Sequence, residues 1–310
     1  MKKLLALMLA LGMTVSLAAC GGSTDSADTT ASESETTEES TDAAETEETA
    51  DAAEASGDGS YVIGICQLVQ HEALDAATQG FKDAVTEALG AENVTFDEQN
   101  ASNDSATCAT IINQFVSNNV DLILANATAP LQAAAQGTDT IPVLGTSVTE
   151  YGVALDIDNF DGLVGTNVSG TSDLAPLDQQ AAMLQELFPD AETVGLLYCS
   201  AEANSQYQVD TVQGYLEEMG YTCTQYSFSD SNDLAAVATT AAQESDVIYV
   251  PTDNTVASNT EIIRNICEPA QVPIIAGEEG ICSGCGVATL SISYYDLGVA
   301  TGNMAVQVLT

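Results

Sequence analysis

From Tyr61 onward, apolar runs of strand length alternate with stretches whose apolar residues recur every third or fourth position, and the whole order occurs twice. In the first half, Tyr61 to Cys66 reads as a strand, and the next helix carries Leu74, Ala77, Phe81, Val85 and Ala88 on one face. Val94 to Phe96 follows as a short strand, then a helix with Cys108, Ile111, Ile112 and Phe115, then strands at Val120 to Ala125 and Ile141 to Leu144. The second half begins with a strand at Thr193 to Tyr198 and a helix striped by Val209, Val212, Leu216 and Met219. Tyr221 to Tyr226 is the next strand, and Leu234, Val237, Ala238 and Ala241 stripe the next helix. A strand at Val247 to Val250, a helix with Val256, Ile263 and Ile266, and a strand at Val272 to Ala276 close the series. Continuous apolar strands between amphipathic helices imply parallel sheets covered on both faces. Two such series predict an α/β chain of two lobes, each a parallel sheet flanked by helices, with a cleft between them. A single long doubly wound sheet is the alternative.

Local echoes support a duplication. Gly80-Phe81 matches Gly214-Tyr215, and Asp121-Leu-Ile-Leu matches Asp246-Val-Ile-Tyr. Residues 61–150 are expected to form lobe 1, with 280–310 returning to it, and residues 165–277 to form lobe 2. Gly152 to Asp173, rich in Asp, Asn, Gly, Thr and Ser, breaks the rhythm and reads as the first crossover; a second is expected near Gly277 to Gly286. Asp156 to Gly162 invites a calcium-loop reading, but Phe160 at its fifth position and Asn167 at its twelfth exclude it. The last helical stripe, Leu297, Met304 and Val308, stops at Thr310 without a capping signal, so further lobe 1 elements are expected beyond it.

The N-terminus addresses location. Lys2 and Lys3 precede an apolar stretch from Leu4 to Val15, and Leu17-Ala-Ala leads to Cys20. This pattern reads as a signal peptide over residues 1–19, too short for a comfortable membrane span. Leu-Ala-Ala-Cys resembles the lipobox of bacterial lipoproteins, which makes Cys20 the expected lipidated (palmitate-bearing) residue. Residues 20–59 are then an acidic tether. Gly21 to Gly59 holds no aromatic or large aliphatic residue, so it cannot bury enough surface to offset chain entropy. The expected location is the outer face of the cell membrane, through a lipid anchor only, in a Gram-positive-type cell.

The formal net charge is −42, and Lys82 and Arg264 are the only cations after Lys3. Such a surface repels nucleic acid and anionic lipid. Seven cysteines after Cys20 are odd in number and scattered, which suits buried apolar side chains better than a disulfide scaffold.

In open parallel sheets, ligands bind beyond the carboxyl ends of the strands. That rule selects Gln67 to Glu72, Asn126 to Pro130, Gly145 to Tyr151, Ser200 to Gln206, Pro251 to Thr255 and Gly277 to Gly280, with Ser169 to Asp173 completing a ring. Short hydroxyl, amide and carboxylate side chains dominate it, which suits reversible recognition of a small polar ligand. The candidate contacts drawn from it include Gln67, His71, Ser172, Thr252 and Glu279. Asn204-Ser205 and Thr252-Asp253-Asn254 precede helices, so N-capping also accounts for them. Arg264, flanked by Glu261 and Glu268 on one helix, is expected to pair at the surface, and Lys82 to be exposed. With both cations outside the cleft, helix N-termini and hydroxyls must hold any anionic group, while Asp173, Asp253 and Glu279 suit an ammonium. That combination favours a zwitterion over a phosphate. Tyr151, Phe160, Tyr207 and Tyr294 are equally suited to lining a pocket and to the core.

Enzyme readings fare poorly, and no cofactor is implied. His71 is the only histidine, with no Gly-x-Ser-x-Gly elbow, P-loop or Gly-x-Gly-x-x-Gly in place. Cys282-Ser-Gly-Cys285 has no second pair for zinc and does not open a thioredoxin-like helix.

Ile63 to Asp75 with Gly80-Phe81, Asn167 to Asp173, Tyr198 to Ser205, Pro251 to Ser258, Gly277 to Gly280 and Tyr295 to Gly298 together resemble a family of substrate-binding lipoproteins of ABC importers associated with tryptophan and other aromatic amino acids. The resemblance spans Tyr61 to Thr310. It implies a type I periplasmic-binding fold that closes around its ligand and delivers it, as a monomer, to permease and ATPase subunits. It also implies that Asn126, Thr128, Asp173, Glu202, Asn204, Ser205, Asp253 and Asn254 lie near the ligand. Glu150-Tyr151 departs from the Asp-Pro frequent in the family. The alternatives are a ligand-sensing or adhesive surface lipoprotein without transport, and a binder of a sugar or nucleoside.

Overall fold

The computed structural model describes residues 60–310. The expected signal peptide, Cys20 and the tether lie outside the described residues.

Lobe 1 runs β1 (Tyr61–Gln67), α1 (Glu72–Leu89), β2 (Val94–Asn100), α2 (Ser105–Ser117), β3 (Leu122–Asn126), α3 (Thr128–Gly137), β4 (Val143–Val148), α4 (Tyr151–Leu155) and β5 (Val168–Ser172). Lobe 2 runs α5 (Leu177–Leu187), β6 (Thr193–Cys199), α6 (Ala203–Glu218), β7 (Thr222–Phe228), α7 (Ser231–Glu244), β8 (Val247–Val250), α8 (Asn254–Ala257), α9 (Thr260–Ala270), β9 (Ile274–Ala276), α10 (Glu279–Cys285) and β10 (Ala288–Thr289). The chain then returns to pack α11 (Tyr294–Leu309) on α1. The sheets are ordered β2-β1-β3-β4-β5 and β7-β6-β8-β9-β10, with every pairing parallel. The two halves therefore share one topology, and the alternative of a single long sheet is excluded.

The central strands are apolar because helices cover both their faces. Leu122 to Ala125 and Val247 to Val250 are buried throughout, and each sheet separates two apolar clusters. The Asp121/Asp246 echo has a structural meaning. Asp121 Oδ2 accepts the Val62 N–H at 2.7 Å, and Asp246 Oδ2 accepts the Glu192 and Thr193 N–H groups at 2.9 Å each. In both lobes this carboxylate ties the third strand to the start of the first. The glycine echo is not shared. A Cβ on Gly80 would strike the Tyr295 carbonyl of α11, whereas one on Gly214 would meet nothing within 4 Å. Gly298 likewise lies against the Ala77 carbonyl, so α1 and α11 cross backbone to backbone.

Both crossovers fall later than the sequence suggests. β5 belongs to the lobe 1 sheet, pairing with β4, so the first crossover is at 173–176 rather than Gly152 to Asp173. β10 extends the lobe 2 sheet, which moves the second crossover from Gly277 to Gly286 down to 290–293. The physical reason is the same in both places: edge strands bury little. Val168 is the one buried residue in β5, and neither residue of β10 is buried. Lobe 1 thus comprises 60–172 and 294–310, and lobe 2 comprises 177–289. Gln180 of α5 fastens the return, donating from Nε2 to the Leu290 carbonyl at 2.8 Å and accepting the Tyr249 hydroxyl at 2.7 Å.

Candidate functional site

Polar side chains gather where the strand ends of both lobes meet. On the lobe 1 side, Asn126 ends β3, Thr146 and Ser147 lie in β4, and Asp173 follows β5; all are buried. Asn126 Oδ1, Thr146 Oγ1, Ser147 Oγ and Asp173 Oδ1 have no hydrogen-bond partner among the described residues. Nor does His71 Nδ1, in the loop after β1. A buried polar atom without a partner costs on the order of 1–3 kcal/mol, so these five, set at the carboxyl ends of the lobe 1 strands, mark a candidate binding face; the sixth such atom among the described residues is Thr289 Oγ1 of β10. The backbone is strained at the same place. Ala127 has φ +101° and Ser147 φ +55°, both in the positive range that side chains disfavour.

Asp173 is held firmly on one side. Its N–H donates to the Val148 carbonyl at 3.2 Å, and Tyr294 of α11 donates its hydroxyl to Oδ2 at 2.8 Å. Burial pushes the Asp173 carboxyl above the usual carboxylate range, against the lowering effect of the Tyr294 bond. Across the interface, Glu278 caps α10, its carboxylate taking the Gly280 and Ile281 N–H groups. Burial pushes Glu278 up to about 7, with the charges of Glu72 and Asp173 adding to the effect. No cation among the described residues pairs with these carboxylates. Among the described residues the ion pair is Lys82–Glu98 at 2.7 Å, on the surface, with Lys82 also over the Phe96 ring. Arg264 is exposed, and the pairing expected with Glu261 or Glu268 does not form within 4.0 Å.

On the lobe 2 side the polar groups mostly satisfy one another. Asp253 caps α8, accepting Cys199 N at 2.7 Å and Val256 N at 2.8 Å, and burial beside the Glu202 charge raises its pKa. Glu202 accepts from the backbone and side chain of both Asn254 and Thr255 at 2.7–3.0 Å. Asn204 donates to the Thr252 carbonyl at 3.2 Å, and Ser205 is fully buried beside it. The lobes touch through His71 Nε2 and Asn254 Oδ1 at 3.1 Å, Asn103 Nδ2 and Thr255 Oγ1 at 3.0 Å, and Ser283 Oγ and Glu72 Oε2 at 3.3 Å. Two small cavities open onto this interface. One of about 130 Å³ is lined by Leu68, Asn103, Thr128 and Gln132 from lobe 1 and by Cys199, Glu202, Asn204 and Thr255 from lobe 2. The other, about 120 Å³, lies between Glu72, Ala73, Glu278 and Tyr294. Larger hollows of about 710 and 530 Å³ are lined by residues of lobe 1 alone and of lobe 2 alone, and none of these four cavities is lined by the unpartnered buried groups.

The structure brings His71, Thr128, Asp173, Glu202, Asn204 and Asn254 to this interface, while Asn126 is buried in lobe 1, donating to the Leu74 carbonyl and Thr78 Oγ1 at 2.9 Å each. It places others in supporting roles. Gln67 is consumed inside lobe 1 by Val69, Asp75 and Thr78, and Ser172 Oγ donates to the Thr149 carbonyl at 2.8 Å. Thr252 is occupied through its backbone by Gln208 and Asn204. Glu279 differs from expectation: it is exposed as the first residue of α10, and its neighbour Glu278 is the buried one, turned inward to cap the helix. Tyr151 is core, its hydroxyl 3.1 Å from the Gly145 and Thr171 carbonyl oxygens, while Tyr294 reaches the site. The strand-end stretches selected from the sequence contain Thr146, Ser147, Thr255 and Glu278 without singling them out, and Asn103 lies outside all of them. Two hydroxyl residues inside an otherwise small or apolar β4 were the available signal for the first pair.

Two parallel α/β lobes of one topology, enclosing a shared polar face, define a two-lobed ligand-binding protein of the type I periplasmic-binding fold, a non-enzymatic class. The chain belongs to the ABC transporter substrate binding protein family, whose sequence profile matches residues 62–310. It is 36% identical over 252 residues to a tyrosine-binding protein of Clostridioides difficile, covering 80% of this chain and 72% of that one. A Streptococcus pneumoniae ABC domain in complex with L-Trp superposes with a TM-score of 0.78 at 33% identity, over 81% of this chain and 85% of the other. A ligand-free, open substrate-binding protein with adhesive properties from Clostridium difficile gives 0.60 at 38% identity, over 80% and 85% of the chains. The shape thus follows the ligand-bound relative more closely, although the sequence is nearer the open one. The hydrogen bonds between the lobes agree with a closed arrangement.

Proposed function

We propose that this substrate-binding protein takes a free aromatic L-amino acid between its lobes and hands it to the permease and ATPase of an importer. The observation that carries the reading is the unpartnered Asp173 Oδ1, buried and fixed by Tyr294, in a site without a cation. An ammonium group satisfies that oxygen and supplies the missing positive charge. The unpartnered hydroxyls of Thr146 and Ser147 and the first-turn N–H groups of α3 suit a carboxylate, since the first helical bond there is Leu131 N to Ala127 O. The tyrosine-binding and L-Trp-bound relatives support an aromatic side chain. Ligand contacts with both lobes would favour the closed state by differential affinity.

Calorimetry with the twenty L-amino acids, a sugar and a nucleoside tests this. Binding of L-tyrosine or L-tryptophan is expected; heat from the sugar or nucleoside alone would refute it. The lipid-anchored, extracytoplasmic location rests on Leu17-Ala-Ala-Cys20 and the acidic segment after it. A fatty-acid analogue should label the wild type, and label retained by Cys20→Ala would sink the anchor. The relative with adhesive properties supports a second reading, a surface role without transport, in which no permease and ATPase genes adjoin this one.

A further inference from the structure

Two hydrogen bonds from lobe 1 end on the short helix α8: His71 Nε2 to Asn254 Oδ1 at 3.1 Å and Asn103 Nδ2 to Thr255 Oγ1 at 3.0 Å. Glu202 sets the orientation of both receiving groups. Its Oε2 takes the Asn254 backbone N–H at 3.0 Å and side-chain Nδ2 at 2.7 Å; its Oε1 takes Thr255 N at 2.9 Å and Oγ1 at 2.8 Å. Turning the Asn254 amide over would set its oxygen against a carboxylate oxygen, two acceptors with no proton between them. The amide is therefore locked with Nδ2 toward Glu202 and Oδ1 toward His71. A carbonyl oxygen only accepts, so His71 Nε2 must carry a proton. Burial holds the His71 pKa below its ordinary 6.5, against the opposing effects of Asn254, Glu202, Asp75 and Glu72, and a neutral ring has one N–H. Nδ1 is then a bare lone pair, buried at the inter-lobe face and without a partner among the described residues.

We propose that Glu202 and Asn254 form a relay between the lobes that fixes His71 as its neutral Nε2–H tautomer, and that His71 Nδ1 is a binding group selecting ligands that present an N–H or O–H donor to it. The proposal rests on the inter-lobe site described under the proposed function. Glu202 is a positioning residue in it: the carboxylate acts on the ligand only through Asn254 and the histidine ring. The relay also couples recognition to closure, because the ring is held in the required form only when lobe 1 meets α8.

His71 is the only histidine in the chain, so the ring nitrogens give an unambiguous NMR signal. The full chain, labelled with 15N-histidine and purified without a histidine tag, is expected to show one protonated nitrogen, Nε2, and one bare nitrogen, Nδ1. L-Tyrosine, L-tryptophan and L-phenylalanine are the probes. Each one that binds should move the Nδ1 resonance in the direction of an accepted hydrogen bond and leave Nε2 protonated. A response to all three assigns the ammonium as donor, and a response to tyrosine and tryptophan alone assigns the side chain. Glu202→Gln should merge the two nitrogen signals toward an average and weaken tyrosine binding about tenfold. Asn254→Ala, which spares the bonds from Thr255 to Glu202, should give the same averaged ring. An Nδ1–H ring, a charged ring near neutral pH, or a bound probe that leaves Nδ1 unmoved would overturn the proposal. The tautomer is read without any ligand. Failure of all three probes to bind thus removes the amino-acid reading and the donor assignment with it, while a wild-type Nε2–H ring would still uphold the relay.

Discussion

Replacing Asp173 by Asn should move affinity and stability in opposite directions, which no general damage to the fold would do. The substitution keeps the shape of the side chain and leaves an oxygen to accept the Tyr294 hydroxyl now 2.8 Å from Oδ2. It removes the negative charge from the unpartnered Oδ1 that the proposed ammonium would meet. A hydrogen bond between charged groups contributes about 1.5–3 kcal/mol, so the affinity for L-tyrosine should fall roughly ten- to a hundredfold. Stability runs the other way. Burial raises the Asp173 pKa, so its stabilising contribution is present below the ordinary value of 3.8 and is lost as pH rises through the raised one. Asparagine has no such loss, and the ligand-free variant should melt at or above the wild-type temperature at about pH 8. Isothermal calorimetry reads the first effect and differential scanning calorimetry the second. Unchanged affinity would refute the ammonium assignment, and a large drop in both quantities would reduce Asp173 to a structural residue.

Glu278 gives a pH signature: with its carboxyl at about 7 against an ordinary 4.5, stability fully present below about pH 4.5 is lost as pH rises through 7. The loss is worth about 3 kcal/mol, or roughly 6–12 °C in a body of this size; Glu278→Gln should flatten the pH profile of Tm, and a flat wild-type profile would contradict the burial argument. Gln180→Ala should cost about 2–4 kcal/mol in urea unfolding, because it strands the buried Tyr249 hydroxyl and frees the Leu290 carbonyl at the second crossover. Gly298→Ala should cost about 1–3 kcal/mol by driving a methyl group into the Ala77 carbonyl, whereas Gly214→Ala, with nothing within 4 Å of the added Cβ, should be neutral or slightly stabilising.

The lobes were legible because their central strands are buried on both faces and their helices on one, which writes a strong pattern into Leu122 to Ala125 or Val247 to Val250. The edge strands were not. Ser169, Gly170 and Thr171 in β5 look like a loop because an edge strand needs few apolar side chains, which places the first crossover too early in the chain, and the two-residue edge strand β10 does the same to the second. The duplicated Asp121 and Asp246 were readable as an echo, but their role as inter-strand ties emerged only from the bonds they accept. The ring of strand-end loops was found by topology alone. Which residue of a loop turns inward was not, because that depends on a dihedral angle rather than on residue type. Glu278 and Glu279 are chemically equal, and one is buried only because it occupies the N-cap of α10. Thr146 and Ser147 lie inside a strand, and the positive φ at Ser147 that accompanies its inward turn has no signature in composition.

The crystal structure of the full chain grown with L-tyrosine tests the central claim most directly. The account predicts the amino acid between the lobes, its ammonium within hydrogen-bonding distance of Asp173 Oδ1 and its carboxylate toward Thr146, Ser147 and the start of α3. Tyrosine seated in the hollow lined by lobe 1 alone, or bound between the lobes with its carboxylate against Asp173, would contradict it.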